Sequence, residues 1–153
     1  MAARGSLRGA GPLAAFLDTA FLDTNVAVYV YDRSDPAKRE RAIDLFASSP
    51  DQLVVSTQVL SEFYWTVTRK LDPPLPHDVA AEATRRLGAL RVVSVDRDLV
   101  LSAVETSKRT GIALWDALIV EAAARAGCDR LITEDLNDGQ EIRGVRIENP
   151  FRP

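Results

Sequence analysis

Four acidic residues lie where their side chains could converge: Asp23, Glu62, Asp116 and Asp135. Glu62 lies within the helix predicted after the second strand. Asp23 and Asp135 each follow a short apolar run. The carboxyl ends of parallel strands share one edge of a sheet, where ligands bind. A helix that starts near that edge brings Asp116 to it. Because neighbouring carboxylates disfavour one another's ionisation, the pattern predicts a bound cation or bound protons.

The chemistry of such a cluster follows from its donors. The sequence has one histidine and one cysteine, which offer no pair for a zinc site. Carboxylate oxygens are hard ligands and point to Mg²⁺, with Mn²⁺ as a substitute. A cation held in this way activates a water and neutralises charge on phosphate oxygens, which suits phosphoryl-transfer chemistry.

Each acidic residue also has a purely structural interpretation. Asp23, or the Thr24 that follows it, could cap a helix. Asp116 could be a first-turn acid that the helix dipole favours. Glu62 could be a solvated helix residue, and Asp135 could belong to a turn. The joint placement of the four residues, rather than any one of them, favours the functional interpretation.

A near-duplication complicates the choice of the first acid. The segment FLDTA at 16–20 is followed directly by FLDTN at 21–25. The second copy ends in Asn25 and runs into another apolar segment, so we assign the functional carboxylate to Asp23. Asp18 is then expected before or early in the first strand.

The spacing of apolar residues predicts alternating strands and helices. Strands are expected at 20–22, 53–56, 91–95, 130–133 and 145–147. Helices are expected at 25–31, 57–70, 77–87 and 115–126, with two more opening at Asp35-Pro36 and at Asp96. This alternation predicts an α/β fold with a mainly parallel sheet of four to five strands and helices on both faces.

Length and composition indicate an ordinary globular protein of 153 residues, with 46% hydrophobic and 27% charged residues. We expect residues 1–15 to be a disordered lead-in and residues 16–153 to form a single domain. No apolar run approaches the roughly 18 residues of a membrane helix, and the lead-in lacks a secretory signal. The single Cys128, expected to be buried, forms no internal disulfide and indicates a reducing, cytoplasmic compartment.

Charge and aromatic residues give weaker signals. The net charge of −3 carries no global indication of nucleic-acid binding. Short basic groups are nevertheless present, and some would line the path of a bound nucleic acid: Lys38, Arg39 and Arg41; Arg69 and Lys70; Arg85 and Arg86. Trp65 and Trp115 are expected to be packing residues rather than base-stacking platforms, although Trp115 adjoins Asp116 and could line the groove.

Taken together, the motifs resemble those of PIN-domain ribonucleases, specifically VapC-type toxins of toxin–antitoxin pairs. The residues that carry the resemblance are FLDTN at 21–25, SE at 61–62, WDALI at 115–119, LITED at 131–135 and GVRIENPF at 144–151. The match spans roughly residues 20–151, and its specificity lies in the order and spacing of the motifs. It implies a PIN-like three-layer α/β/α fold.

The resemblance also implies a function. It implies an Mg²⁺-dependent endoribonuclease that is the toxin of a type II toxin–antitoxin pair. It implies that Asp23, Glu62, Asp116 and Asp135 hold the metal and position the attacking water. Thr24, Asn25 and Thr133 would support the acids or face the phosphate. The implied partners are an RNA substrate, a cognate antitoxin and a second copy in a homodimer.

Two other functions fit parts of the pattern. A non-catalytic PIN-like binding module would use the acids only to hold a partner's basic side chain. A haloacid-dehalogenase-like phosphatase also has an aspartate after its first strand. That motif needs a second aspartate where this chain has Asn25, and a late lysine, whereas no lysine follows Lys108.

Overall fold

The computed structural model describes residues 19–48 and 50–153. The expected disordered lead-in and Asp18 lie outside these residues. The strands are β1 Ala20–Leu22, β2 Leu53–Ser56, β3 Arg91–Val93, β4 Arg130–Ile132, β5 Glu141–Ile142 and β6 Val145–Glu148. The helices are α1 Thr24–Tyr29, α2 Pro36–Ser48, α3 Thr57–Arg69, α4 His77–Leu87, α5 Arg97–Thr110 and α6 Leu114–Arg125, with a 3₁₀ turn at Pro50–Gln52.

The strands form one sheet in the order β3-β2-β1-β4-β6-β5. Pairing is parallel from β3 to β6, and only β5 runs antiparallel. Phe21 of β1 is in register with Val54 on one side and Leu131 on the other. The carboxyl ends of β1 and β4 are therefore neighbours, since Leu22 lies opposite Ile132.

The sheet has six strands in the described residues, where four to five were expected. The additional strand, β5, is only two residues long and gives no readable apolar pattern. It forms a hairpin with β6 through Arg143 and Gly144, whose φ angles are 54° and 77°. Successive positive φ values suit the tight turns that match the twist of a hairpin.

The buried strands explain why the apolar runs were visible in the sequence. β1 and β2 are buried along their whole length, as expected for central parallel strands covered on both faces. Helix α1 packs on α2 and α3, and α3 packs on α4, whereas α5 packs on α6. The three-layer α/β/α arrangement predicted from the sequence is confirmed.

Side-chain caps begin some of the helices, among them α3 and α5. Ser56, the last residue of β2, accepts the Val59 N–H at 3.3 Å and begins α3. Asp96 accepts the Leu99 N–H at 2.9 Å and begins α5, which ends at Gly111 with φ of 83°. Among residues 19–48 and 50–153, no helix is both long and apolar enough to cross a membrane.

Candidate functional site

Asp23 occupies the turn between β1 and α1. Its backbone N–H donates to the Ile132 carbonyl at 3.0 Å, which ties the turn to the end of β4. Its Oδ1 accepts the Thr24 N–H at 2.7 Å, and its Oδ2 accepts the Thr133 hydroxyl at 2.7 Å. The residue is 7% exposed. Asp23 is thus the N-terminal cap of α1, as the structural interpretation of this residue predicted. It also lies at the carboxyl edge of the sheet.

Asp116 and Asp135 converge on Asp23. One carboxylate oxygen from each of the three residues lies within 4.8 Å of the others. Asp116 comes from the first turn of α6, and Asp135 comes from the loop that follows β4. Burial decreases from Asp23 through the half-buried Asp116 to the exposed Asp135. We call these three residues the acidic trio.

Glu62 stands outside the trio but lines the same cleft. Its Oε1 accepts the Thr24 hydroxyl at 2.8 Å, and its Oε2 accepts Nε2 of Gln58 at 3.2 Å. The carboxylate of this fourth predicted acid is therefore held by Thr24 of α1 and Gln58 of α3. It lines the cleft that also contains the trio.

The three predicted polar residues each contact at least one of the acids. Thr24 donates to Glu62, as described, and Asn25 donates through Nδ2 to Oδ2 of Asp135 at 2.9 Å. Thr133 donates to Asp23 and accepts the backbone N–H of Asp135 at 3.0 Å. This set of bonds orients the acids relative to one another.

Burial and neighbouring negative charges raise the pKa of two members of the trio, Asp23 and Asp116. Burial raises the pKa of Asp23 to about 7, against the lowering effect of its bonds from Thr133 and Thr24, and the charges of Asp135 and Asp116 add to the rise. Burial also raises the pKa of Asp116, followed by the charges of Asp135 and Glu62. Each of these two carboxylates therefore resists ionisation as long as no cation offsets the charge of the others.

The donor set fits a divalent cation. Three carboxylates with converging oxygens supply hard ligands. Burial, with like charge added to it, raises the pKa of Asp23 and of Asp116. A cation bound at the trio would reverse that rise and keep the acids ionised at neutral pH.

The cleft beside the trio has a volume of about 530 Å³, within the usual range of ligand-binding clefts. Two tryptophans line it, and the prediction that they are packing residues is wrong. Trp65 is 52% exposed and Trp115 is 64% exposed. The buried apolar side chains of α3 and α6 lie on other faces of these helices. The helical spacing of apolar residues does not show whether a single large residue points to the core or to solvent.

Of the basic groups noted in the sequence, Lys70 contributes to the cleft lining. Lys38 instead pairs with Glu134 at 3.1 Å and contacts the Tyr29 hydroxyl at 3.2 Å. Arg85 and Arg86 pair with Glu82 on their own helix.

Gln58 is a site residue that sequence reasoning missed. Its Nε2 donates to Glu62 and, at 3.3 Å, to the backbone carbonyl of Trp115. It therefore connects α3 to the start of α6, where Asp116 lies. The signal was present, because residues four apart on a helix share one face.

Fold and site together define an α/β protein with an acid-lined cleft at the carboxyl edge of a parallel sheet. Residues 20–139 match the family model of the PIN domain, and the chain belongs to the PIN-domain family. The comparison with curated protein sequences found no match.

Several solved structures share the fold. The VapC20 toxin of Mycobacterium tuberculosis, which cleaves the sarcin-ricin loop, is 27% identical with a TM-score of 0.63, over 74% of this chain and 87% of that one. A toxin–antitoxin complex from Klebsiella pneumoniae is 20% identical with a TM-score of 0.67, over 88% and 100%. The DNA-bound VapBC of Salmonella typhimurium is 20% identical with a TM-score of 0.63, over 88% and 99%. The last two likenesses concern the fold alone.

Proposed function

We propose that this protein is a divalent-metal-dependent endoribonuclease and the toxin of a type II toxin–antitoxin pair. The observation that carries the proposal is the convergence of Asp23, Asp116 and Asp135 within 4.8 Å at the carboxyl edge of the sheet. Membership of the PIN-domain family and the likeness to a toxin that cleaves RNA support the same conclusion.

The chain's own residues have separable roles in this proposal. Asp23, Asp116 and Asp135 hold Mg²⁺ or Mn²⁺, and Glu62 completes the acidic wall and orients the attacking water. Thr133 and Asn25 keep Asp23 and Asp135 in position through their hydrogen bonds. When bound, the metal lowers the pKa of a water and neutralises charge that develops on the phosphate oxygens.

The partners follow from the same site. An acid-lined cleft attracts a basic side chain, so a cognate antitoxin that inserts one would block the site directly. The fold is shared with chains solved in toxin–antitoxin complexes, which supports an antitoxin partner. We further propose a homodimer in the cytoplasm, where the RNA substrate is found.

Cleavage of a structured RNA pool by purified protein tests the proposal. It is run with Mg²⁺, with Mn²⁺ and with a chelator. The matched pair of variants is Asp116→Asn, in the trio, and Asp98→Asn, an exposed acid on α5. Loss of one metal ligand is expected to reduce cleavage by roughly 100-fold or more, whereas Asp98→Asn cleaves like wild type.

The outcomes are distinct. Metal-dependent cleavage that disappears in Asp116→Asn, with an unchanged circular dichroism spectrum, supports the nuclease. Chelator-resistant cleavage, or full activity of Asp116→Asn, contradicts it. Absence of cleavage together with tight binding of a basic partner peptide would instead favour the non-catalytic binding module.

A further inference from the structure

The two tryptophans of this chain are exposed in an unusual way. Tryptophan is highly buried on average in globular proteins, yet Trp65 and Trp115 are 52% and 64% exposed. They are the only tryptophans in the sequence. Both line the cleft that contains the acidic trio. Aromatic side chains are common in the lining of ligand-binding clefts.

Each indole stands next to an acidic site residue. Trp65 lies one helical turn beyond Glu62 on α3, so the two side chains share a face of that helix. Trp115 directly precedes Asp116 in the first turn of α6. Gln58 connects the two segments by its bonds to Glu62 and to the Trp115 carbonyl. Gln58 therefore links the helix that carries Trp65 to the segment that carries Trp115.

A cation accompanies one of the indoles. Nζ of Lys70 lies 5.4 Å from the centre of the Trp65 ring, and Lys70 is an exposed residue that lines the cleft. Lys70 lies over one face of the ring, so a base would stack on the opposite face. Single-strand nucleic-acid sites combine such aromatic faces with cations that contact the phosphates. The ammonium also offsets part of the repulsion that the trio exerts on a polyanion entering the cleft.

We propose that Trp65 and Trp115 are stacking platforms for unpaired RNA bases, with Lys70 contacting the phosphate next to the base on Trp65; as a statement about substrate, this rests on the proposed ribonuclease function. Bases within a duplex present no free face to a side chain, whereas splayed bases of loops and single strands do. Every base has a π face, so the platforms select unpaired structure rather than sequence. A basic peptide segment is the competing occupant of the same acid-lined cleft, and its binding is measured beside that of RNA.

Intrinsic fluorescence tests the proposal directly, because both tryptophans of the chain line the cleft. The Asp116→Asn variant, which retains both indoles, is titrated in Mg²⁺ with a single-stranded oligoadenylate. The same titration is made with a duplex of equal length, with an abasic oligonucleotide that keeps the phosphates, and with a lysine-rich peptide. We expect quenching by the single strand and little or none by the duplex or the abasic oligonucleotide, whereas quenching by the peptide would report the competing occupant.

Substitutions assign the effect to each residue. Trp65→Ala and Trp115→Ala are each expected to weaken binding of the single strand by about ten-fold, while Trp65→Phe and Trp115→Phe retain most of it. Lys70→Ala reduces the salt dependence of binding. Val79→Ala, which removes an exposed apolar side chain of α4 outside this cleft, is the control and binds like the parent. In the cleaving background the alanine variants raise KM more than they lower kcat.

The outcomes separate this proposal from the nuclease itself. Normal KM and normal binding in both alanine variants, while wild type cleaves RNA, overturn the platforms and leave the nuclease. Equal quenching by the abasic oligonucleotide, or quenching by the peptide alone, also overturns them. Quenching by the single strand in a protein that never cleaves supports the platforms and rejects the nuclease.

Discussion

The hydroxyl of Thr133 donates to Oδ2 of Asp23 at 2.7 Å, across 110 positions of sequence. The same oxygen atom of Thr133 accepts the backbone N–H of Asp135 at 3.0 Å. Thr133 is fully buried. One side chain at the end of β4 therefore sets the positions of two members of the acidic trio, and the parallel pairing of β1 with β4 makes this possible.

Replacing Thr133 by valine tests this bridge. Thr133→Val keeps the shape of the side chain but removes the hydroxyl that bonds Oδ2 of Asp23 and the Asp135 N–H, which costs about 1–3 kcal/mol in the free energy of unfolding. We expect lower cleavage and weaker Mg²⁺ binding, because both acids lose their orientation. Urea unfolding and isothermal titration with Mg²⁺ measure the two effects. Thr133→Ser should restore both, and a valine variant that binds Mg²⁺ like wild type would rule out the bridge.

Magnesium should stabilise the fold by neutralising the trio. At ten times its Kd, a ligand that binds only the folded state adds about 1.4 kcal/mol, which is roughly 3–6 °C in Tm for a chain of this size. Asp116→Asn removes one repelling charge. Its Tm in chelator should therefore exceed that of wild type, and its gain from Mg²⁺ should be smaller. Scanning calorimetry at matched ionic strength measures both quantities, and equal gains in the two proteins would count against a cation at the trio.

The raised pKa of Asp23 predicts a specific pH dependence in metal-free protein. Burial raises this pKa to about 7 from 3.8, so the folded state binds the proton more tightly than the unfolded state. Stability is then lost as pH rises between these two values, and the loss is complete above about pH 7. With about 1.4 kcal/mol per pKa unit, the change is at most about 4 kcal/mol.

The measurement for this prediction is the difference in free energy of unfolding between Asp23→Asn and wild type in chelator. The variant should gain stability relative to wild type as the pH rises from 4 to 8. The lost or altered hydrogen bonds of the introduced asparagine contribute a constant offset. A difference that does not change with pH would show that Asp23 is ionised without cost.

Arg143 and Glu121 form a second, purely structural ionic pair. Glu121 is 4% exposed, and its Oε2 accepts both the Arg143 Nε at 2.9 Å and the Thr106 hydroxyl at 2.6 Å. Arg143→Met leaves a buried carboxylate poorly neutralised and should destabilise the fold by about 1–3 kcal/mol. Cleavage per folded molecule should not change, since neither residue lines the cleft of the trio.

The matched control for this pair is Arg146→Met. Arg146 contacts Glu148 at 3.6 Å and is more exposed than Arg143, so its loss should cost no more than about 1 kcal/mol. Chemical denaturation compares the two variants. A neutral partner in Glu121→Gln should recover part of the stability lost in Arg143→Met, and equal stabilities of the two methionine variants would contradict the buried pair.

The sequence by itself determined the alternating elements and most of their bounds. β2 and α4 begin and end at the predicted residues. Buried parallel strands are continuous apolar runs, and helices have periodic apolar faces with local caps, so both can be recognised within a few neighbouring residues. The order of the strands and the positions of the acids, after β1, after β4 and at the start of α6, were enough to bring Asp23, Asp135 and Asp116 to one edge.

Tertiary structure decided what depends on distant packing. It separated Glu62 from the trio, because the Thr24 hydroxyl and Gln58 hold its carboxylate. It exposed Trp65 and Trp115, which an apolar pattern alone assigns to the core. It also added β5, whose two residues are a strand only because β6 lies beside them. Exposure and pairing are properties of the neighbours that a residue meets in space, and these neighbours are supplied by the whole fold.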